Sequence, residues 1–403
     1  MRRELCAGCN STHLRKVLDL GDSPLAAEFP LTPQEAATQN RYPLGLVRCH
    51  RCTLVQLTEI VPDDELWGGD YTFYTGSSWP AVQQQTEYAD DLLTKYGPLA
   101  EHLTLEIACN DGTMLKVFRD VGCRTLGVDP ARGPTAQAKA LGLDVLVEGF
   151  TYSVAQDIVA NYGAAGLVIA NNVIAHVADL NDFIAGIAMV LLPDGVCSLE
   201  FQYLPDLVTG NQIDHVYHEH RQFFSLHSLA RALSRHNLEP FYVQQTVPQG
   251  GSLRVTVGHK QFRPIDQSVR DLLEAESWLL DENVLAGMQG RADRIREKLS
   301  KILLDASHDG KRVAGYGASA KSSTLLNFCG IGPELIQYFV DTTPSKQGRY
   351  MPGTGIPVIN PQADSRLPDI YFLGIWNYLP QVLKQEARFQ GQWLIPIPVP
   401  VLL

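Results

Sequence analysis

The densest chemistry in this sequence is the run Asp214-His215-Val216-Tyr217-His218-Glu219-His220. Three histidines, a phenol and the carboxylate of Glu219 lie within seven residues. Imidazole titrates close to neutral pH, so histidine is the usual base for a carbon acid beside a ketone. Tyr217 and His220 are three apart and could share a helix face, but Glu219, adjacent to His220, could not join them there. A loop or strand end could aim all three at one point. The plainer alternative is a polar loop whose histidines bond only to backbone or solvent. Arg221–Ser225 then reads as a strand or turn, with a helix opening near Leu226.

A chain of 403 residues is too long for one compact core, so two or three domains are expected. The hydrophobic share of 45% and charged share of 19% fit a soluble globular protein. A formal net charge of -11 with no basic stripe argues against nucleic acid as a partner. The first residues, Met1-Arg2-Arg3-Glu4-Leu5, have no apolar run behind them, so no secretory signal and no membrane span are expected. Of the eight cysteines, Cys109, Cys123, Cys197 and Cys329 are scattered singly in apolar contexts, which suits a reducing cytoplasm.

The other four are paired. Cys6-x-x-Cys9 and Cys49-x-x-Cys52 each wrap one side of a tetrahedral ion, and together they close its shell. Four thiolates leave no open position, so the expected ion is a structural Zn²⁺. Between the pairs lies a turn-rich run, Leu18–Leu25, and Thr53–Leu57 alternates like a strand. The aromatic and hydroxylic stretch Tyr71–Ser78 follows, then a helix from about Trp79 to Tyr96. Tyr71 or Tyr74 is a candidate to face the site, since buried phenols need partners.

Leu103–Thr113 reads as strand, tight small-residue turn and helix. Some twenty residues on, Leu126–Pro130 is a second strand ending in Asp129 and Pro130. Such a pair forms the crevice of a nucleotide-type sheet, the second acid accepting ribose hydroxyls. A dinucleotide site would want G-x-G-x-x-G at the first turn, whereas Glu106, Asp111 and Gly112 occupy it. With no phosphate to cradle, these acids suit S-adenosyl-L-methionine (SAM), a sulfonium with a free ammonium. Strands follow near 144–147, 167–172 and 195–201, and a late one at Leu253–Val257. Asn171 and His176 leave the carboxyl end of the fourth strand and are site candidates.

Ile265 to about Asp305 is expected to be helical, with Met288, Ala292, Ile295, Leu299 and Ile302 in one apolar stripe. Val313–Lys321 starts a second nucleotide-type fold through Gly315-x-Gly317. Lys346 and Arg349, in a Gly/Pro loop, offer two cations for a sugar diphosphate. Trp376 and Asn377 end a later strand, and the proline-broken tail reads as a terminal strand and extended end. The fold class is therefore α/β: a zinc-binding module (1–70), a Rossmann-like SAM methyltransferase domain (71–262), a helical bridge (263–308) and a Rossmann-like nucleotide-sugar-binding domain (309–403).

The chain resembles the sugar C-methyltransferases that act on nucleotide-linked 4-keto-6-deoxysugars in deoxysugar biosynthesis. The resemblance covers nearly the whole chain. It rests on the four cysteines, Tyr71–Ser78, Glu106–Gly112, Asn171–His176, Tyr217–His220, Gly250–Arg254 and the carboxyl-terminal motifs. It implies that His220 takes the C3' proton and that Glu219 and Tyr217 orient or bind nearby. It places Tyr71 and His176 around the sugar, and Asn172, Ser252, Lys346, Arg349, Trp376 and Asn377 on the substrate. The implied product is a 3'-C-methyl sugar inverted at C3', made on a dTDP or GDP sugar by a monomer. The glycine turn departs from many relatives by carrying Ala318-Ser319-Ala320-Lys321, which leaves Lys321 unassigned. Competing readings are an O- or N-methyltransferase, a zinc-knuckle nucleic-acid binder, and an NAD-dependent dehydrogenase built on the last domain.

Overall fold

The computed structural model describes residues 1–67, 74–77, 79–247, 250–363 and 367–403. At the amino end β1 (Leu14–Ser23), β2 (Tyr42–Cys49) and β3 (Val55–Leu57) form an antiparallel sheet. The turn-rich run Leu18–Leu25 is thus largely strand. Register shifts between Lys16 and Leu18 and between Asp19 and Asp22 absorb its extra residues. Such irregularities let core contacts resume beyond them, and Leu18, Leu20 and Ser23 are all buried.

Next, β4 (Leu103–Ile107), β5 (Arg124–Val128), β6 (Val145–Leu146), β7 (Ala165–Asn171) and β8 (Leu191–Gln202) pair in parallel. Every residue of β4 is buried, as in a strand covered on both faces. The chain then leaves this sheet. β9 (Gln222–Phe223), two residues beyond His220, pairs with β3 and becomes the fourth strand of the amino-terminal sheet. β10 (Leu238–Thr246) and β11 (Ser252–His259) return, giving the order β10-β11-β8-β7-β4-β5-β6 with β11 antiparallel to both neighbours. The expected helix Trp79–Tyr96 and the helix Leu226–Ser234 are both present.

The helix Met288–His308 buries Met288, Ala292, Ile295 and Leu299 of the expected stripe, and Leu303 takes the place of Ile302, which is only half-buried. That stripe shares one core with Leu18, Leu44 and Leu46 of the first sheet and with Val313, Leu326 and Phe339 beyond it. The last sheet contains β12 (Val313–Tyr316), β13 (Phe339–Val340), β14 (Val358–Ile359), β15 (Ile370–Leu373), β16 (Gln392–Ile395) and β17 (Val401–Leu402). Its order is β14-β13-β12-β15-β16-β17, parallel except for β17. The chain turns outward in both directions from β12, so a crevice opens beyond the carboxyl ends of β12 and β15. Among the described residues no helix is long and apolar enough to cross a membrane.

Candidate active site

The histidine run is a loop, bounded by a short 3-10 turn at Ile213–His215 and by β9. Tyr217 and His220 meet across a tight turn, with the His220 backbone N–H on the Tyr217 carbonyl at 2.9 Å. Nδ1 of His220 lies 2.9 Å from the carbonyl oxygen of His215. A carbonyl only accepts, so Nδ1 carries the proton and Nε2 is the basic nitrogen. That Nε2 accepts the Tyr217 hydroxyl at 2.7 Å. Burial, helped by the facing His176 and Lys321, holds the His220 imidazole well below its ordinary pKa and keeps it neutral.

A second loop, leaving β7, completes this wall. The backbone N–H groups of Arg221 and Gln222 both donate to the Ala175 carbonyl, at 2.8 and 3.1 Å. His176 Nδ1 donates to the Glu219 carbonyl at 2.7 Å, which leaves the His176 ring 5.0 Å from that of His220. Trp67 stands edge-on to His176 at 5.9 Å. Burial pushes the His176 imidazole down to about 4. Glu219 serves the site through its carbonyl. Its carboxyl is buried, Oε2 has no partner among the described residues, and burial, with Glu28 adding to it, raises it to about 7. His218 is also buried, edge-on to Tyr42 at 5.8 Å. Tyr71 lies outside the described residues.

The turn after β4 carries left-handed Ala108, Asn110 and Gly112. A side chain at Gly112 would strike Leu143, so glycine is required there. Asp129, just past β5, accepts the N–H groups of Asn110 at 2.9 Å and Ala131 at 2.7 Å. Asp111 accepts Gly76 N–H at 2.7 Å and the Thr113 hydroxyl at 2.6 Å, so it clasps the 74–77 segment over the turn. Glu106 is buried with Oε2 unpartnered, and Asn171 has an unpartnered, buried Oδ1. Burial, with Asp129 and Asp111 nearby, lifts Glu106 well above the usual carboxylate range. Among the described residues no lysine or arginine pairs with Glu106, Asp111 or Asp129. A crevice of three acids, with Glu106 Oε2 and Asn171 Oδ1 unpartnered among the described residues, fits a cationic donor bearing an ammonium and a sulfonium, and it fits a dinucleotide phosphate poorly. Asn172, at φ +52°, is exposed where the loop leaves β7.

The four paired cysteines converge. Their sulfurs all lie within 4.8 Å of one another, with Cys6–Cys52 at 3.4 Å and Cys9–Cys49 at 3.6 Å. A tetrahedron with Zn–S bonds of about 2.3 Å has edges of about 3.8 Å, so the sulfur set fits Zn²⁺. Backbone N–H groups of Asn10 and Thr53, both left-handed, close the two knuckles onto the carbonyls of Cys6 and Cys49.

Three family models match this chain: a zinc binding domain over residues 6–67, a methyltransferase domain over 82–243, and a C-methyltransferase C-terminal domain over 248–398. The C-methyltransferase NovU of Streptomyces niveus is 33% identical over 405 residues, covering 98% of this chain and 96% of that protein. The chain belongs to the C-methyltransferase family. It is a SAM-dependent C-methyltransferase with a zinc-binding amino-terminal module. Solved structures similar to it include the magnesium protoporphyrin IX methyltransferase of Synechocystis PCC 6803 with bound SAM. That one is 14% identical at a TM-score of 0.35, over 48% of this chain and 87% of that one. Another is the PH0226 protein of Pyrococcus horikoshii OT3, 15% identical at a TM-score of 0.37, over 47% and 96%.

In this C-methyltransferase the carboxyl-terminal sheet faces the histidine loop. Trp376, just beyond β15, donates its indole N–H to Asp214 Oδ2 at 2.6 Å. Asn377 beside it keeps a buried, unpartnered Oδ1. Lys346 Nζ donates to the Ala318 carbonyl at 2.8 Å and lies 3.8 Å from Asp341. Arg349 reaches the Phe29 carbonyl at 3.0 Å. Both cations of the Gly/Pro loop are therefore already held by protein groups. Ser252, the first residue of β11, is fully buried. Lys321, near the start of the helix Ala320–Cys329, has no hydrogen-bond partner among the described residues, and its charge is felt at Asp214, His215 and His220. Sequence reasoning gave Asp214 no role beyond its place in the run, left Lys321 unassigned and did not single out Trp67. Lys321 was in view as a residue following a glycine turn. Nothing local announces that Asp214 meets an indole 162 positions away.

Proposed function

We propose that this C-methyltransferase methylates C3' of a dTDP- or GDP-linked 4-keto-6-deoxysugar by way of an enolate. The observation that carries this reading is the pair His220 Nε2 and Tyr217 hydroxyl, 2.7 Å apart, with the tautomer of His220 already fixed. In an α-keto C–H unit the acidic hydrogen and the ketone oxygen sit on adjacent carbons. Two groups in mutual hydrogen-bond contact, one basic and one a donor, match that unit. The substrate takes the place of the Tyr217–His220 hydrogen bond. His220 Nε2 then removes the C3' proton, and the Tyr217 hydroxyl turns its donor to the C4' oxygen, where negative charge develops. His176, with Nδ1 committed to Glu219, has Nε2 facing the same space as a second neutral group. SAM, when bound, would supply a methyl carbon open to C3' of the enolate on the side opposite its sulfur, the C–S bond breaking to leave S-adenosylhomocysteine as the C4' ketone reforms.

Substrate charge is met from the carboxyl-terminal side. Lys321 makes no hydrogen bond among the described residues; burial lowers its pKa, the nearby Asp214 opposes that shift, and Lys346 adds to it. Together the two lysines present positive charge to a diphosphate, while Trp376 and Asn377 border the sugar. Arg349 contributes through Phe29, by holding the loop to the amino-terminal module. Asp129 is the acceptor for the ribose of SAM, and Glu106 and Asn171 face its remaining polar groups.

The test is exchange at carbon. The 4-keto-6-deoxysugar nucleotide, incubated in D2O with enzyme and no SAM, should take up deuterium at C3'. An O- or N-methyltransferase has no need of that exchange. Label appearing at C5', the other carbon flanking the ketone, would keep the base and move the methylated position.

A further inference from the structure

The tautomer of His220 depends on one carbonyl, that of His215, and this carbonyl belongs to the single turn Ile213–His215. The turn packs against the helix Ala320–Cys329 of the carboxyl-terminal sheet. Inside it, Asp214 is buried, and its Oδ1 has no hydrogen-bond partner among the described residues, though the Lys321 charge acts on it. Its Oδ2 is held by the Trp376 indole N–H at 2.6 Å, a short bond of the kind a carboxylate acceptor makes. Trp376 reaches His220 by a second route as well. Its ring stands edge-on to His215 at 6.2 Å, and the His215 ring lies nearly parallel to His220, 6.4 Å away with 22° between planes. No other hydrogen bond to His220 Nδ1 is present among the described residues.

We propose that Asp214 and Trp376 are positioning residues for the base: the carboxyl-terminal domain, through the Trp376–Asp214 hydrogen bond, holds the His215 carbonyl where it keeps the proton on Nδ1 of His220 and the lone pair on Nε2. The consequence is that the carboxyl-terminal domain belongs to the catalytic centre and does more than carry the nucleotide. Loss of the clamp frees the 213–215 turn, lets His220 sample the other tautomer, and turns its basic nitrogen away from the substrate. This inference rests on His220 being the base, but its direct readout does not.

The experiment uses the full chain with ¹⁵N-labelled histidine, the His220 resonances being assigned by comparison with His220→Asn. The two ring nitrogens of a neutral imidazole report directly which one is protonated. Wild type should give a single form protonated at Nδ1. Trp376→Phe keeps an aromatic ring against His215 and removes only the donor, and it should give mixed or averaged tautomers. Asp214→Ala should do the same. Asp214→Asn retains an acceptor for the indole and should restore the wild-type pattern. In turnover of dTDP-4-keto-6-deoxyglucose, Trp376→Phe should lower kcat by roughly 10- to 100-fold, the cost of misplacing a reacting group. Affinity for SAM should stay within about 2-fold, because the donor crevice is untouched. Trp376→Phe decides the question where Asp214→Ala fails to fold. A wild-type Nδ1–H pattern in Trp376→Phe would overturn the proposal. If His220→Asn kept turnover, the base assignment would fall, while the tautomer readout would still judge the clamp.

Discussion

In the proposed reaction His220 is the base, and its environment makes a specific demand on pH. A general base works only when unprotonated. Burial lowers its pKa first, with His176 and Lys321 adding to the effect, so the imidazole stays competent below the ordinary histidine value of 6.5. The acid limb of kcat/KM should therefore fall below pH 6.5. Lys321→Met removes one facing positive charge, so the limb should move up toward 6.5. An acid limb unchanged by that substitution would show that Lys321 does not act on the base. A pH–rate profile of both proteins measures this. Tyr217→Phe removes the donor proposed for the C4' oxygen and should lower kcat by roughly 10²-fold. The cluster was legible in the sequence because its residues are adjacent. The hydrogen bond from His176 to the Glu219 carbonyl was not, since it is made by backbone. Backbone roles leave no trace in residue type.

At the scale of elements, the zinc module does more than cap the amino end. β9 pairs with β3 immediately after the histidine loop, so the sheet whose strand β2 ends in Cys49 also takes in the strand that follows His220. Arg221, the residue after His220, is fully buried and donates to the Val61 carbonyl at 2.8 Å and to Asp63 at 2.6 Å. Loss of zinc from the Cys6, Cys9, Cys49 and Cys52 centre should therefore abolish turnover as well as lower stability. A drop of on the order of 10 °C in Tm is expected. Chelation followed by calorimetry, and Cys49→Ser with its zinc content measured, check this. Retained turnover in zinc-free protein would separate the module from the site. The cysteine spacing was legible because two short pairs carry the whole ligand set. The β3–β9 pairing was hidden, because it joins segments more than 160 positions apart and β9 is only two residues long. The strand β1 was hidden for the opposite reason: its Leu-Gly-Asp-Ser composition is that of a turn, and only bulged pairing with β2 makes it strand.

For the whole molecule, three sheets converge on one loop. The central sheet brings the donor crevice, the amino-terminal sheet anchors the segment after His220, and the carboxyl-terminal sheet supplies Trp376 and Lys321. Most strands of the two larger sheets were legible, since apolar runs ending in acids or glycine turns mark strands and their crevices, whereas their order came only from the pairing. The mutual placement of the sheets was not legible, because it depends on a core that mixes Leu18 and Leu44 with Leu299, Leu326 and Phe339. The charges at the junction lead to a further expectation. Lys346→Ala with Arg349→Ala should raise KM for the nucleotide sugar by more than it lowers kcat, since both act on binding and on the loop that carries it. A loss confined to kcat would place them in the chemical step.

The most direct measurement is deuterium uptake from D2O into C3' of the nucleotide 4-keto sugar with no SAM present, compared between wild type and His220→Asn. The account predicts uptake by wild type, and a loss of roughly 10²- to 10⁴-fold in the variant while S-adenosylhomocysteine still binds. Undiminished uptake by His220→Asn, or none by the wild-type enzyme, would contradict it.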